Sequence, residues 1–543
     1  MRVAEKRFSF EYPQKWVQGL VLFGFCFVLF FVNLGQWDLW NPDEPRYAQV
    51  AREMVTSGDW ILMHVNQRVY GDKPPLFFWA VGLSSFLLNG FTSFSVRFPS
   101  ALFGTLTVLL TFFLGRKLYC SRSGFLSGFI LATNVEFHYL ATRANIDTTL
   151  TFFTTAALIC FFHWYGDRKR LSIYGFYVAM AFATLTKGPV GFILPLLVAL
   201  IYLGIQREWQ SIRKMRLFTG LVLLLGIVLC WYLPAVLKGG REYLDYTILR
   251  QTIDRYSEGW SHARSILYYF YIFPTDFLPW TLFLPAGFIH LCTGIGKEKR
   301  RESLFLLVWF SVIFLFFTFS KGKRELYLAP LYPAASVIVG KLWFDFISTP
   351  MERLKREWIS VPLYALMGAA LIGGLTLPWV LRAALPAYQA YGLPVTLLMV
   401  GGSIALFLSW RKKRYGVVFL LVVAIMSAGL FYTLGVVYPL VNPYKSARYL
   451  SQEIVSRIKP GERLGYLGTN MTAPFNFYTG IVPIIELKKK EDLDRFLQSP
   501  ERVYCLLLYK EFVSLQKRPE HPQMELIARR GVGSRDMVLI SNR

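Results

Sequence analysis

Two adjacent carboxylates, Asp43 and Glu44, follow the first apolar run of the sequence. The next residues favour a helix to about Thr56, and the helix dipole stabilises acidic side chains in a first turn. That effect accounts for Glu44, but it accounts less well for the gathering of Asp43, Glu44, Arg46 and Tyr47 where the apolar run ends. A carboxylate at this place can act as a general base that accepts a proton. The sequence therefore predicts Asp43 and Glu44 as catalytic candidates, with Asp43 as the main one.

Side chains that could hold a phosphate group occur in the other polar connections between apolar runs. Positive charge and hydroxyl donors stabilise a departing phosphate as its negative charge accumulates. The candidate substrate-binding residues, which include one carboxylate, are Arg46, Tyr47, Lys73, Arg143, Asp147, Lys187, Arg264, Lys321, Arg324 and Tyr327.

The composition places these residues in a membrane protein. Of the 543 residues, 54% are hydrophobic and only 17% are charged, whereas soluble domains average about 25% charged residues. Apolar runs of the length that crosses a hydrocarbon core of about 30 Å recur along the chain. The net charge of +25 is concentrated in short Lys and Arg clusters between these runs. That distribution is typical of cytoplasmic loops and argues against nucleic-acid binding.

The fold class that follows is an all-α polytopic membrane protein with about thirteen spans and a small C-terminal α/β region outside the cytoplasm. Treating the apolar stretch 74–90 as a helix on the membrane surface places all strong basic clusters on one side. The N-terminus is then cytoplasmic. The predicted spans are 16–34, 97–115, 124–141, 147–164, 172–186, 189–205, 217–237, 267–291, 303–320, 325–343, 360–381, 394–410 and 416–435.

The outer loops of the membrane domain and the C-terminal region are predicted to lie outside the membrane, on the side opposite the cytoplasm. The membrane domain is assigned to 1–438, with large outer loops at 35–96 and 238–266. From 439 to 543 the composition becomes soluble, and alternating apolar residues predict a small α/β domain. That domain shows no glycine-rich phosphate loop and no cluster of catalytic residue types.

Several candidate residues also have an ordinary explanation when they are taken one at a time. Arg143 and Asp147 are spaced to form an ion pair at a helix start. Lys187 can extend along apolar surface beside a helix break, and His262 is by default a surface histidine. Because these residues fall on one predicted side of the membrane, a shared site is the better explanation.

Five segments carry a resemblance to a known family: WNPDEPRYAQVAREM, GDKPPL, TRANID, LTKGP and SKGKRELYLAPLYPAAS. In order and spacing they resemble the integral-membrane GT-C glycosyltransferases, most of all the aminoarabinose transferase (ArnT) branch and more distantly the protein O-mannosyltransferases. The likeness reaches to about residue 345. It implies an inverting transfer of a sugar, 4-amino-4-deoxy-L-arabinose or a relative, from undecaprenyl phosphate to lipid A or a related envelope glycolipid. The expected place is the periplasmic face of the bacterial inner membrane, and lipid A modification of this kind is associated with polymyxin resistance.

The resemblance also implies roles for individual residues. It points to Asp43 as the catalytic carboxylate and to Arg46, Tyr47, Lys73 and Tyr327 as the donor-phosphate site. It further implies a divalent metal, zinc or magnesium, at Asp72 and His262. The family's acid at the first metal position is expected to be Glu, so the shorter Asp72 departs from the pattern. Two ligands are also fewer than the three that catalytic zinc normally has.

The acceptor and the class of protein leave alternatives open. A lipid A phosphate oxygen is already ionised and needs little help from a base, whereas a hydroxyl acceptor needs one. The protein hydroxyls used in O-mannosylation are the alternative acceptor. A transporter of an anionic substrate is the alternative class, but it predicts internal repeats and charges along a path through the spans, and the sequence shows neither.

Overall fold

The computed structural model describes residues 15–247, 263–293, 299–348, 353–469, 471–518 and 523–543. Within these residues, eight helices are long and apolar enough to cross a membrane, and two further helices, bent by 110° at a short break, pass the same test together. The eight are Ser93–Leu118, Ile146–Asp167, Leu217–Asp245, Arg300–Phe319, Glu325–Ser348, Arg356–Ala384, Pro386–Arg411 and Tyr415–Lys445, and the bent pair is Tyr268–Asp276 with Trp280–Thr293. The chain is thus a polytopic α-helical membrane protein, as predicted.

The other four predicted spans are helical but do not pass the same test of length and composition. Trp16–Phe31 and Val190–Ile205 are shorter apolar helices, and Arg170–Lys187 carries charge at both ends. The predicted span 124–141 is two helices, Ser121–Ala132 and Val135–Ala141. They are separate because Asn134 caps the second one, where its side-chain oxygen accepts a hydrogen bond of 2.6 Å from the backbone N–H of Phe137.

The stretch predicted as a surface helix is a 12-residue helix, Leu76–Leu87. At a rise of about 1.5 Å per residue it extends about 18 Å, well short of a hydrocarbon core of about 30 Å. Leu83, Phe86 and Leu87 on it are exposed. These features fit a helix that lies along a membrane rather than through it.

Small residues allow the helices around the site to approach closely. Gly124, at the start of Ser121–Ala132, lies against the end of Ser93–Leu118, where an added Cβ would be 2.3 Å from the carbonyl oxygen of Phe112. Contacts of this kind are typical of membrane helices, in which packing rather than water exclusion drives association. Large aromatic side chains, among them Trp280, Trp309 and Trp343, fill the interior between the later helices.

The segment between the helices Trp16–Phe31 and Ser93–Leu118 carries the acidic pair and four other predicted site residues. It contains the helix Asp43–Ser57, a hairpin of the short strands His64–Val65 and Arg68–Val69, and the helix Leu76–Leu87. Trp209–Lys214 is a further short helix of the membrane region. Within the spans already given, Glu325–Leu331 and Pro386–Tyr388 are 3₁₀ turns, and Tyr438–Lys445 is a last short helix.

A small α/β region follows at the C-terminus. Its five-stranded sheet runs in the order Ile485–Leu487, Arg463–Leu467, Val503–Leu508, Arg535–Ser541 and Glu525–Val532. The first three strands are parallel to one another, and the last two are antiparallel additions. Helices Arg448–Val455, Ala473–Thr479, Lys490–Leu497 and Tyr509–Gln516 help to cover the two faces of the sheet.

The sheet region is hydrogen-bonded to the segment that carries the acidic pair. The Arg52 guanidinium donates to the backbone carbonyls of Phe477 (2.9 Å) and Asn476 (2.7 Å). The Asn66 side chain donates to the carbonyl of Ile484 at 2.8 Å and accepts from the Asn476 amide at 2.9 Å. Since Arg52 lies on the same helix as Asp43, the C-terminal region helps to hold that helix in place.

Candidate active site

Asp43 begins its helix and lies between two arginines. Its Oδ1 accepts a hydrogen bond of 2.5 Å from Arg46 Nη2, and its Oδ2 accepts one of 2.7 Å from Arg324 Nη2. Burial opposes ionisation, but the positive charges of Arg324, Arg46 and Lys73 outweigh it and hold the pKa of Asp43 below its usual value. The group is therefore a carboxylate at neutral pH, and Lys73 is among the cations around it.

Glu44, the second member of the acidic pair, is only 1% exposed and has both oxygens occupied. Oε1 accepts from Arg97 Nε at 2.7 Å and from the Ala144 N–H at 2.9 Å. Oε2 accepts from Arg97 at 3.0 Å, Arg143 at 2.9 Å and the Trp40 N–H at 2.9 Å. Burial works against the charge, yet Arg143 and Arg97 more than offset it and lower the pKa of Glu44 to about 2. This geometry gives Glu44 a positioning role next to Asp43, with no lone pair left to meet a substrate.

Arg97 is a part of the site that sequence reasoning missed. It lies in the helix Ser93–Leu118 with 0% exposure, and it also donates to the backbone carbonyls of Leu34 (3.0 Å), Trp37 (2.9 Å) and Asp38 (2.7 Å). Its guanidinium lies 4.2 Å from the centre of the Trp37 ring. An arginine inside an apolar span is costly unless it is paired, and that cost was the signal that could have identified it.

Several buried polar groups beside Asp43 have no hydrogen-bond partner in the described part of the chain. They are Arg46 Nε, the Tyr70 hydroxyl and both side-chain amide atoms of Asn41. The Arg46 guanidinium also lies 5.6 Å from the ring of Tyr47, which is itself only 4% exposed. Buried donors are nearly always satisfied in native proteins, so this group points to a ligand. The predictions included Arg46 and Tyr47 but missed Asn41 and Tyr70, whose residue types carry no distinctive sequence signal.

Lys187 and Tyr327, both predicted to bind substrate, lie together. Lys187 ends the helix Arg170–Lys187, forms an ion pair with Asp147 and lies 4.2 Å from the centre of the Tyr327 ring. The alternative ion pair between Arg143 and Asp147 is therefore wrong, because each residue pairs with a different partner.

Arg143 is held on several sides. It binds Glu44, donates 2.5 Å to the Tyr139 hydroxyl, and lies 5.3 Å and 5.0 Å from the Trp40 and Tyr139 ring centres. Both terminal nitrogens are thus engaged within the protein, and this favours a positioning role over the predicted substrate contact.

Arg264 and Lys321 are exposed and belong to one short backbone pairing. Ala263 and Gly322 form an isolated antiparallel bridge, and the Arg264 N–H donates 3.3 Å to the Lys321 carbonyl. The Arg264 guanidinium lies 5.9 Å from the centre of the Tyr268 ring. This pairing places Arg264 beside the turn that carries Arg324, the residue that binds Asp43.

The predicted metal site is described only in part. Asp72 Oδ1 accepts a hydrogen bond of 2.5 Å from the Tyr246 hydroxyl, whereas His262 lies outside the described residues. Among the residues that are described, no group of three His, Cys, Asp or Glu side chains could hold a metal ion. The metal site at Asp72 and His262 thus stays a prediction.

Comparison with known proteins agrees with this architecture. The structure superposes on the crystal structure of ArnT from Cupriavidus metallidurans bound to undecaprenyl phosphate, with a TM-score of 0.81 at 22% identity, over 98% of this chain and 99% of the other. An archaeal oligosaccharyltransferase, AglB from Archaeoglobus fulgidus, shares the fold more distantly, with a TM-score of 0.53 at 12% identity, over 90% of this chain and 69% of the other. The chain thus has the GT-C fold of these integral-membrane proteins.

Sequence similarity narrows the assignment. Residues 16–244 match the family model described as dolichyl-phosphate-mannose-protein mannosyltransferase. The undecaprenyl phosphate-alpha-4-amino-4-deoxy-L-arabinose arabinosyl transferase of Enterobacter sp. (strain 638) is 30% identical over 407 residues, 73% of this chain and 70% of that protein. An uncharacterised protein of Aquifex aeolicus is 30% identical over 430 residues, 79% of this chain and 80% of its own length. The chain belongs to the aminoarabinose transferase (ArnT) family, and it is a glycosyltransferase of the polyprenyl-phosphate-sugar-dependent class.

Proposed function

We propose that this protein transfers 4-amino-4-deoxy-L-arabinose or a related sugar from undecaprenyl phosphate to lipid A or a related envelope glycolipid. The observation that carries the proposal is the position of Asp43, an ionised carboxylate between Arg46 and Arg324 beside buried donors without partners. Such a site combines a group that can orient an acceptor with cations that can take a phosphate. The name of the Enterobacter relative supplies the sugar and the lipid carrier.

The donor phosphate is assigned to the cations around Asp43. Arg46 and Arg324 each use one terminal nitrogen on Asp43, so other N–H groups of these planar, multidentate side chains remain to meet phosphate oxygens. Lys73, whose charge acts on Asp43, and Tyr327, beside Lys187, complete the predicted phosphate site.

The transfer breaks one bond and forms another. An acceptor oxygen attacks the anomeric carbon from the side opposite the phosphate and forms the new C–O bond. The electron pair of the old C–O bond leaves on undecaprenyl phosphate, where Arg46, Arg324 and Lys73 stabilise the charge that develops. Attack from the opposite side inverts the configuration of the sugar.

The role of Asp43 follows from the acceptor. With a lipid A phosphate, the attacking oxygen carries no proton, and Asp43 orients the acceptor and stabilises positive charge that develops on the sugar. With a hydroxyl acceptor, Asp43 takes the proton as general base. Glu44 acts through Arg97 and Arg143 by fixing the backbone that presents Asp43.

The same proposal places the site at the periplasmic face of the bacterial inner membrane, with the N-terminus in the cytoplasm. The support is the distribution of charge in the sequence, because the strong basic clusters fall on the side opposite Asp43. We also assign Asp72 and His262 to a divalent metal, zinc or magnesium. A carboxylate oxygen and an imidazole nitrogen suit zinc. Elemental analysis of purified active protein tests the metal assignment.

Purified protein in proteoliposomes, supplied with undecaprenyl phosphate-aminoarabinose and lipid A, is the direct test. Mass spectrometry should detect lipid A heavier by one aminoarabinose residue. A parallel reaction with a Ser/Thr-rich peptide in place of lipid A tests the O-mannosyltransferase alternative. Modification of the peptide alone would overturn the proposed acceptor, and no transfer to either would overturn the proposed donor.

A further inference from the structure

Three carboxylates outside the phosphate site lie at the ends of three chain elements that pack against one another. Glu136 lies in the first turn of Val135–Ala141, Asp276 ends Tyr268–Asp276, and Glu325 begins the 3₁₀ turn Glu325–Leu331. The Asn134 side chain ties the first two elements together by donating 2.9 Å to the Asp276 carbonyl. The carboxylates that act most strongly on the charge of Glu136 are those of Asp276 and Glu325.

These acids lack the cationic partners that the other carboxylates of the site have. Asp43, Glu44 and Asp147 each pair with Arg or Lys, whereas among the described residues Glu136, Asp276 and Glu325 form no ion pair. Asp276 Oδ2 is buried with no hydrogen-bond partner in this part of the chain. Negative charges held near one another repel, and a cation bound among them removes that repulsion.

A buried tyrosine independently points to a ligand at the same place. Tyr332 is 0% exposed, and its hydroxyl has no hydrogen-bond partner among the described residues. The carboxylates that act on this hydroxyl are Glu136, Asp276 and Glu325. Its ring stacks on Phe277 with centres 5.8 Å apart, so the side chain is fixed in place. A fully buried hydroxyl in this position lacks a partner that a bound molecule could supply.

The cluster adjoins the reacting centre through two connections. Glu325 follows Arg324, which binds Asp43 at 2.7 Å. Glu136 lies one helical turn before Tyr139, which holds Arg143 against Glu44. Glu325 is exposed and Glu136 is half-buried, so the cluster can be reached by a bound molecule.

We propose that Glu136, Asp276 and Glu325, with the Tyr332 hydroxyl, bind the ammonium group of an amino sugar carried by the lipid phosphate donor. This subsite rests on the proposed function and explains how the enzyme would select an amino sugar. An ammonium group has three N–H donors and one positive charge, which matches a group of acids and a hydroxyl without a partner. A metal ion fits less well, because no three such side chains in the described residues lie close enough to hold one. An anionic acceptor would be repelled.

The test compares two donors that differ at one position: undecaprenyl phosphate carrying 4-amino-4-deoxy-arabinose and undecaprenyl phosphate carrying arabinose with a 4-hydroxyl. With the unaltered protein, the KM for the amino donor should be at least about tenfold lower than the KM for the hydroxyl donor. The hydroxyl donor cannot form the charged hydrogen bond, and the loss of such a bond has about this effect. Equal KM values for the two donors would contradict the subsite. This comparison needs no variant, so it does not depend on the folding of an altered chain.

Variants then assign the effect to residues. Glu136→Gln and Asp276→Asn should raise the KM for the amino donor about tenfold or more, while the KM for the neutral donor stays within about twofold. Glu453→Gln, which removes a carboxylate on the C-terminal region, should change neither KM. Equal losses with both donors in Glu136→Gln and Asp276→Asn would overturn the subsite. Failure of the unaltered protein to use either donor would instead overturn the proposed function.

Discussion

The carboxylate of Asp43 accepts a hydrogen bond of 2.7 Å from Arg324, a residue 281 positions later in the chain. This contact joins the segment after the first apolar helix to the turn before the helix Tyr332–Ser348. It brings an anion and a cation of the same site into direct contact. Because the charges of Arg324 and Arg46 offset the cost of burial, Asp43 stays ionised well into the acid range.

Removal of Arg324 should change the pH dependence of transfer. In the unaltered protein the pKa of Asp43 lies below its usual value, so activity that needs the carboxylate persists as the pH falls below the usual range. In Arg324→Gln the burial of Asp43 is no longer offset as well, and its pKa rises. The acid limb of kcat/KM should then move to higher pH.

The matched control is Arg168→Gln. Arg168 also forms an ion pair with a carboxylate, that of Glu208, at 3.2 Å. Neither residue belongs to the proposed site, so this substitution removes an ion pair without touching Asp43. Its acid limb should coincide with that of the unaltered protein. An unmoved acid limb in Arg324→Gln would show that ionisation of Asp43 does not limit the reaction.

Glu44→Ala should destabilise the protein strongly. It leaves Arg97 and Arg143 buried without their shared anion, and breaking a buried ion pair costs about 3–5 kcal/mol. Thermal unfolding in detergent should show a clear drop in Tm, whereas Glu453→Gln on the surface should show almost none. A Tm equal to that of the unaltered protein would mean that the Glu44 network does not hold the loop.

The same residue should also contribute to the pH dependence of stability. The pKa of Glu44 is lowered from 4.5 to about 2 in the folded protein. Its contribution to stability is therefore full above about pH 4.5 and is lost as the pH falls toward 2. Glu44→Gln should lack this component of the acid-induced decrease in Tm, and an unchanged acid profile in that variant would contradict the assignment.

Variants of the ion pair between Lys187 and Asp147 can distinguish a role in stability from a role in binding the donor. Lys187→Met leaves Asp147 buried and unpaired, so it should lower both Tm and activity. The double variant Lys187→Met/Asp147→Asn removes the stranded charge and should recover most of the Tm. If the pair contacts the donor, kcat/KM stays low in the double variant. Recovery of activity together with Tm would show that the pair is structural.

Much of this arrangement could be predicted from local patterns. The helix predicted to run to about Thr56 is Asp43–Ser57, and the C-terminal region, predicted as α/β from its alternating apolar residues, contains a five-stranded sheet with helices. Hydropathy located all thirteen apolar segments as helical regions. These features depend on residues near one another in the sequence, which is why local reasoning finds them.

Contacts between distant segments could not be predicted in the same way. Arg97 was counted as part of an apolar span, because its partner Glu44 lies 53 residues earlier and no spacing links the two. The break at Asn134 was missed since apolar residues flank it on both sides.

The most direct test of the account is transfer by Asp43→Asn, a substitution that keeps the shape of the side chain and removes its charge. Sugar transfer from undecaprenyl phosphate-aminoarabinose should fall by about 10²–10⁴-fold, with the protein still folded by its gel-filtration profile and Tm. Asp59→Asn in the same segment, whose carboxylate pairs with Lys238 at 3.1 Å, should keep nearly full activity. Full activity in folded Asp43→Asn would contradict the central assignment.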